Sequence, residues 1–260
     1  MTYYSADPFS KEKGFLHIAK IKYGSFIKED MMLKLALPNG SLEKNTTELF
    51  AAAGWSIERE DRSAMASTNC PFAESIFFTR PQAIPRVVSS GLCDVGICGY
   101  DCVAEARLSH ELEERSEWPG IITFLPYSKK TWGCTRIVLC SRKNSSIQRI
   151  EDVSDGSKVY TEYPALTEQH FREHGIHVQC IRATGSVEGH VRIGEFEVGA
   201  TVLEEGKTCD KNHLKVIGDL LTSATVLISR RERMDAFLEA LRFGAHLLNA
   251  AAFLIEKEEN

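Results

Sequence analysis

The chain alternates between short apolar runs, which end in a glycine or a polar turn, and longer segments whose apolar residues have helical spacing. Residues 33–37, 94–98, 136–140, 198–203 and 224–229 are dense in apolar side chains, over a length typical of buried strands. Several of the intervening segments stop at a glycine, as helices commonly do. This alternation predicts an α/β architecture with largely parallel sheets.

The strand–helix units are too many for one simple sheet, so we expect two lobes with a cleft between them. Residues 1–31 have mixed charge and weak periodicity, and we interpret them as an N-terminal extension. Residues 109–130 are charged and contain Pro119, Gly120 and Pro126, which predicts a surface excursion.

The composition excludes several classes of function. Of the 260 residues, 43% are hydrophobic and 26% charged, which is ordinary for a soluble globular enzyme. A net charge of −5 provides no basic field, so nucleic acid is not expected as a partner. We find no signal-peptide pattern and no apolar run of membrane-spanning length, and so expect no membrane association. The eight cysteines form no CxxC pair, which favours reduced thiols, a cytoplasmic protein and no protein-held metal centre.

Three segments have the features of ligand-binding strand ends. The run from Asp94 to Cys98 leads into Gly99 and Asp101, and a glycine at a strand end lets a ligand approach the backbone closely. The turn at 38–41 precedes a predicted helix. The turn at 204–208 combines a glycine, a lysine and a threonine, which favour phosphate binding. From spacing alone, an ordinary β–α loop is the favoured interpretation of both turns, with phosphate binding as the alternative.

Six motifs in order resemble those of the ATP phosphoribosyltransferase family, which opens histidine biosynthesis. They cover about residues 32–230 and read LALPNGSL (35–42), RPQAIP (80–85), DVGICGYD (94–101), EYPALT (162–167), TGSVE (184–188) and EEGKTCDKN (204–212). The resemblance implies two lobes like those of type II periplasmic binding proteins, with mixed, mostly parallel sheets. Together with the apolar strand at 224–229, it predicts one lobe from 32–125 plus 216–260 and another from 126–215.

The resemblance also implies the reaction and its site. It implies transfer of phosphoribosyl from phosphoribosyl pyrophosphate to N1 of ATP, with Mg²⁺ neutralising the pyrophosphate, and it names no catalytic residue. The phosphoribosyl pyrophosphate loop corresponds to Glu204, Glu205, Gly206, Lys207 and Thr208. The nucleotide site corresponds to Pro38, Asn39, Gly40, Ser41, Asp94, Gly99, Thr161 and Tyr163.

Several residues depart from the family's motifs where ligands are expected to bind. Asn39 and Ser41 replace a lysine and an arginine, Thr201 replaces an aspartate, and Glu205 replaces a threonine. Lys207 returns one cation to the loop. These departures leave two alternatives: a phosphoribosyltransferase acting on another heterocycle, or a non-catalytic regulatory paralogue.

The C-terminal segment bears on assembly. Residues 231–257 have the spacing of one long helix, and 245–255 are apolar on almost every face. We expect this segment to be buried against another subunit, with packing within its own lobe as the alternative. The resemblance is to the short type of the family, which works with a histidyl-tRNA-synthetase-like regulatory subunit. We therefore expect a homo-oligomer that histidine alone does not inhibit.

Overall fold

A computed structural model describes residues 32–61, 63–109, 119–127, 134–203, 212–230 and 234–259, so the predicted extension at 1–31 lies outside the described residues. The described residues form twelve strands: β1 (Leu33–Pro38), β2 (Ile57–Glu58), β3 (Met65–Thr68), β4 (Ala73–Thr79), β5 (Val95–Gly99), β6 (Gly120–Leu125), β7 (Thr135–Arg142), β8 (Lys158–Thr161), β9 (Gln179–Arg182), β10 (Val198–Leu203), β11 (Leu214–Ser223) and β12 (Thr225–Ser229). They also form six α-helices: α1 (Glu43–Ala52), α2 (Ile84–Ser89), α3 (Tyr100–Leu108), α4 (Pro164–Glu173), α5 (Val187–Ile193) and α6 (Met234–Glu259).

The strands form two sheets, one in each lobe. The first has the order β2-β3-β4-β1-β5-β12-β6, and the second has the order β11-β7-β10-β8-β9. Pairing is parallel from β4 through β1 to β5 and from β10 through β8 to β9, and antiparallel elsewhere among the described strands. The two-lobed α/β fold is confirmed, with mixed sheets whose parallel part is smaller than the strand–helix alternation predicted.

The chain passes between the sheets twice. The first sheet takes its strands from β1 to β6 and then β12, whereas β7 to β11 all lie in the second sheet. Because β11 continues to Ser223, the return to the first sheet falls at Ala224 and not at 216. This boundary could not be predicted from the sequence because β11 has no dense apolar run. Its buried, half-buried and exposed positions are irregularly mixed, and its pairing contains two register shifts.

The predicted surface excursion at 109–130 is wrong in part. Residues 120–125 form β6, which pairs antiparallel with β12 at the edge of the first sheet. Pro119 and Pro126 flank the strand, and prolines are tolerated beside an edge strand because its outer N–H groups have no ladder partner. Their turn signal concealed the apolar run between them.

Helix α6 packs its inner face into the core of the first lobe. Phe243 is fully buried, and its ring stacks on Trp55 at a centroid distance of 5.7 Å. Leu247 and Ala251 are also buried, whereas Phe253 is 60% exposed on the outer face. By length and composition alone α6 is long and apolar enough to cross a membrane, although the sequence showed us no apolar run of that length. Its inner face is nevertheless part of the main hydrophobic core of the first lobe.

Each sheet brings one helix unusually close to a strand glycine. A Cβ on Gly96 would lie 2.4 Å from a methyl of Ile84 on α2, and a Cβ on Gly199 would lie 2.5 Å from a methyl of Val187 on α5. Any larger residue would force the helix away from the sheet. Since α5 begins beside the cleft, Gly199 helps to set the position of its N-terminal turn.

Candidate active site

A cavity of about 370 Å³ lies between the lobes, at the ends of strands from both sheets. Gly99 and Asp101 line it from the first lobe, and Tyr163, Ser186 and Glu188 line it from the second. Strand ends of this kind are where open α/β sheets bind ligands. The cavity is within the volume range of small-molecule sites.

The wall in the first lobe depends on Asp101, which follows β5 on the first turn of α3. Its carboxylate accepts a hydrogen bond from the Ser223 hydroxyl at 2.5 Å, and the Asp101 backbone N–H donates to the same hydroxyl oxygen at 3.0 Å. The carboxylate lies over Gly99, where a Cβ would come within 2.1 Å of it. Asp101 therefore joins the first lobe to the last residue of β11, beside the return crossing.

The wall in the second lobe is the turn between β8 and α4. The Thr161 hydroxyl oxygen accepts the Tyr163 N–H at 2.9 Å and lies 3.1 Å from the Thr167 hydroxyl, which fixes the turn from behind. Tyr163 is buried, and burial, followed by the charge of Asp101, raises the pKa of its phenol well above the ordinary value. Tyr163 is thus a neutral group facing Asp101 across the cleft.

The 184–188 turn forms a second part of this wall. Ser186 caps α5 by accepting the Gly189 N–H at 3.2 Å, and it donates to Glu188 at 3.0 Å. The Thr184 N–H donates to the Tyr160 hydroxyl at 2.9 Å, and hydrogen bonds from Thr184 lower the pKa of Tyr160. The turn is therefore held by its own side chains and by a phenol from β8.

Thr201 has a defined role at the position where the sequence departs from the family's aspartate. Its hydroxyl donates to Glu188 at 2.6 Å, and both residues line the cavity. An aspartate at this position would place a second carboxylate beside Glu188. The change to threonine replaces that repulsion with a hydrogen bond.

The cavity lining is acidic where the structure describes it. Asp101, Glu162 and Glu188 contribute carboxylates, and no lysine or arginine lies among the described lining residues. No group of three potential metal ligands is assembled within the described part of the chain. These carboxylates would repel an anionic substrate unless a cation lies between them.

The structure brings together part of the predicted nucleotide site. Ser41, Gly99 and Tyr163 line the cavity, and Thr161 supports the Tyr163 turn from behind. The residues before Ser41 lead into the cavity without lining it: Pro38 ends β1, the Asn39 N–H donates to Thr79 at 2.8 Å, and the Gly40 N–H donates to Glu43 at 3.1 Å. Among the described atoms, the Asn39 Oδ1 is buried with no hydrogen-bond partner.

Asp94 lies elsewhere, contrary to our expectation that it faces the cleft with Gly99. It precedes β5, whereas Gly99 ends that strand, so roughly 16 Å of extended chain separates them. The Asp94 carboxylate instead accepts the Lys34 N–H at 2.9 Å.

The predicted phosphoribosyl pyrophosphate loop, Glu204, Glu205, Gly206, Lys207 and Thr208, lies outside the described residues.

Sequence reasoning did not single out Ser223 or Thr225, which also line the cavity. They stand where the chain enters or leaves the second sheet, and no local pattern marks such a crossing. Only their place in the fold reveals them.

The two sheets, the two crossings and the cleft between the lobes define a two-lobed α/β fold of the periplasmic-binding-protein kind. The alkanesulfonate-binding protein SsuA from Xanthomonas axonopodis pv. citri has this fold, with a TM-score of 0.55 at 12% identity over 90% of this chain and 77% of that chain. A chain of the ATP phosphoribosyl transferase (HisG:HisZ) complex from Thermotoga maritima has a TM-score of 0.67 at 23% identity, over 85% of this chain and 100% of that one.

Sequence comparison gives the family. Residues 80–246 match the ATP phosphoribosyltransferase family model. The ATP phosphoribosyltransferase of Methanococcus maripaludis (strain C5) is 32% identical over 78% of this chain and 67% of its own length. That of Geotalea daltonii is 34% identical over 78% of this chain and 66% of its own length. The chain belongs to the ATP phosphoribosyltransferase family, and it spans about two thirds of these relatives.

Proposed function

We propose that this chain is an ATP phosphoribosyltransferase that transfers phosphoribosyl from phosphoribosyl pyrophosphate to N1 of ATP, the first step of histidine biosynthesis. The observation that carries the proposal is that four family motifs, well separated in sequence, meet at one cleft. Ser41, Gly99, Tyr163 and Ser186 each come from a different motif and line the same cavity. Membership of the family supplies the reaction.

The arrangement suits a reaction that needs positioning more than proton transfer. The adenine N1 has a free lone pair, so its attack on the ribose carbon requires no strong general base. Positive charge develops on the ribose as pyrophosphate departs, and the carboxylates of Asp101, Glu162 and Glu188 face the region where this charge would form. The two walls would hold the reactants in position for attack.

Mg²⁺ fits the donor set as a cation carried by the substrate. Mg²⁺ is commonly held by one or two carboxylates together with substrate phosphates, and it neutralises the charge of a leaving pyrophosphate. Asp101 and Glu162 are carboxylates of the cavity that would complete its coordination. Within the same proposal, Lys207 and the backbone of 204–208 hold the ribose 5′-phosphate.

We propose a homo-oligomer, and a regulatory partner like the HisZ component of the Thermotoga maritima complex. The interior face of α6 is filled by its own lobe, which leaves the outer face around Phe253 for contact between subunits. The protein would act in the cytoplasm, where its substrates are made. Histidine would then act through the partner and not on this chain alone.

The test is pyrophosphate release. The purified chain is incubated with phosphoribosyl pyrophosphate and Mg²⁺, together with ATP, GTP, free adenine or no acceptor. We expect release with ATP alone, and a product whose ribose is attached at N1. Release with another heterocycle, but not with ATP, would show that ATP is not the acceptor. Absence of both release and phosphoribosyl pyrophosphate binding would contradict the enzymatic proposal.

A further inference from the structure

A carboxylate of the first lobe caps a helix of the second. Glu105 lies on α3 and is only 8% exposed. Its Oε1 accepts the Ala165 N–H at 3.0 Å, and its Oε2 accepts the Leu166 N–H at 2.9 Å. Both donors belong to the first turn of α4, so one side chain bridges the two lobes with both of its oxygens.

The cap completes the hydrogen bonding of that turn. The first N–H groups of a helix have no partner within the helix. Here the Tyr163 N–H donates to Thr161, Pro164 has no N–H, and the Thr167 N–H begins the helical ladder by donating to the Tyr163 carbonyl. Ala165 and Leu166 are the remaining donors, and Glu105 accepts from both. The N-cap residue itself makes no side-chain cap.

The same face of α3 reaches the second lobe twice. Asp101 and Glu105 are four residues apart, so both point to one side of the helix. Asp101 binds Ser223 beside the return crossing, and Glu105 binds α4. The α4 turn carries Tyr163, which lines the cavity. Any movement of α3 away from α4 would therefore break the contacts of Glu105.

We propose that Glu105 is a positioning residue that fastens the second lobe to the first and so keeps Tyr163 in the wall of the cleft. A carboxylate at a helix N-terminus gains from charge-assisted hydrogen bonds and from the helix dipole. Loss of these interactions favours an open cleft, which substrates must then close at the expense of their own binding energy. The expected change in KM rests on the proposed function, whereas the expected loosening of the contact between the lobes does not.

The test compares Glu105→Gln with Glu48→Gln, which also removes a carboxylate from a first-lobe helix, but at an exposed site. Glutamine has the shape of glutamate but keeps one acceptor oxygen and no charge. We expect KM for ATP to rise about tenfold in Glu105→Gln, equivalent to about 1.4 kcal/mol, with kcat changed less than about twofold because saturating substrate closes the cleft. The control should match the wild type in both constants.

Hydrogen exchange on the substrate-free protein distinguishes two roles for Glu105: one that links the lobes and one that only caps α4. Lobe opening predicts faster exchange in Glu105→Gln both at 163–167 and at 99–104, reversed by phosphoribosyl pyrophosphate with Mg²⁺. Faster exchange at 163–167 alone, with KM unchanged, would overturn the proposal and leave only a local cap. Glu105→Asp, which keeps the charge on a shorter side chain, should give an intermediate KM and serves if Glu105→Gln does not fold. The exchange result stands whether or not the chain proves to be active.

Discussion

Replacing Phe243 by alanine tests whether α6 is an integral part of the first lobe. Phe243 is fully buried, and its ring contacts three aromatic rings: Trp55 at 5.7 Å, Phe50 at 5.8 Å and Phe72 at 6.0 Å. Removing a buried phenylalanine costs about 3–5 kcal/mol in total, and the three aromatic pairs place Phe243 in the upper part of that range. We therefore expect Phe243→Ala to destabilise the lobe by about 4–5 kcal/mol.

Urea unfolding, followed by tryptophan fluorescence at a fixed protein concentration, measures this cost. Trp55 stacks on Phe243 and so reports on the affected core. The matched control is Phe253→Ala on the same helix, where the side chain is 60% exposed, and this change should cost no more than about 0.5 kcal/mol.

Equal costs for the two variants would refute the packing of α6 described above. They would show that the helix does not use the face containing Phe243 to complete the lobe. A dissociated oligomer in Phe253→Ala, with monomer stability unchanged, would instead locate the subunit contact on the outer face.

Three further predictions concern the loop, alkaline pH and regulation. Lys207→Ala should weaken phosphoribosyl pyrophosphate binding by about 1.5–3 kcal/mol, measured by calorimetry, and unchanged affinity would exclude Lys207 from the phosphate site. Tyr127 follows β6 and is fully buried in the core of the first lobe. Burial raises the pKa of both Tyr127 and Tyr163 above the ordinary 10.0, so their contribution to stability is complete below pH 10 and is lost as the pH rises above it. Tyr127→Phe should therefore lessen the fall in the urea midpoint between pH 9 and 11, and a fall as steep as in the wild type would contradict this. Histidine should neither bind to nor inhibit the isolated oligomer, as checked by calorimetry and by pyrophosphate release with and without histidine, and binding or a lower rate would contradict regulation through a partner.

The sequence predicted the elements that have a strong local signal. The β5 strand and its terminal Gly99 are visible as an apolar run closed by a glycine, and the motif order indicated two lobes. Strand β11 was not predicted, because it is an edge strand with register shifts and its buried and exposed residues follow no regular pattern. Strand β6 escaped because the prolines on either side of it resemble a loop.

The site was predictable only where a motif carries it. Ser41, Gly99 and Tyr163 belong to motifs and line the cleft, whereas Asp94 belongs to a motif but lies at the opposite end of its strand. Ser223 and Glu105 could not have been found from spacing, because their partners are distant in the chain. Contacts between lobes are set by the fold and leave no local pattern.

Gly199 implies that mutational sensitivity extends behind the cleft. An alanine there would bring a methyl 2.5 Å from Val187, where ordinary contact begins at 3.4 Å, so α5 would have to retreat by nearly 1 Å. The retreat would carry Ser186 and Glu188 with it, and a displacement of about 1 Å can cost a hundredfold in rate. A substitution at a residue that lines no part of the cavity would thus lower activity as a substitution in the active site does.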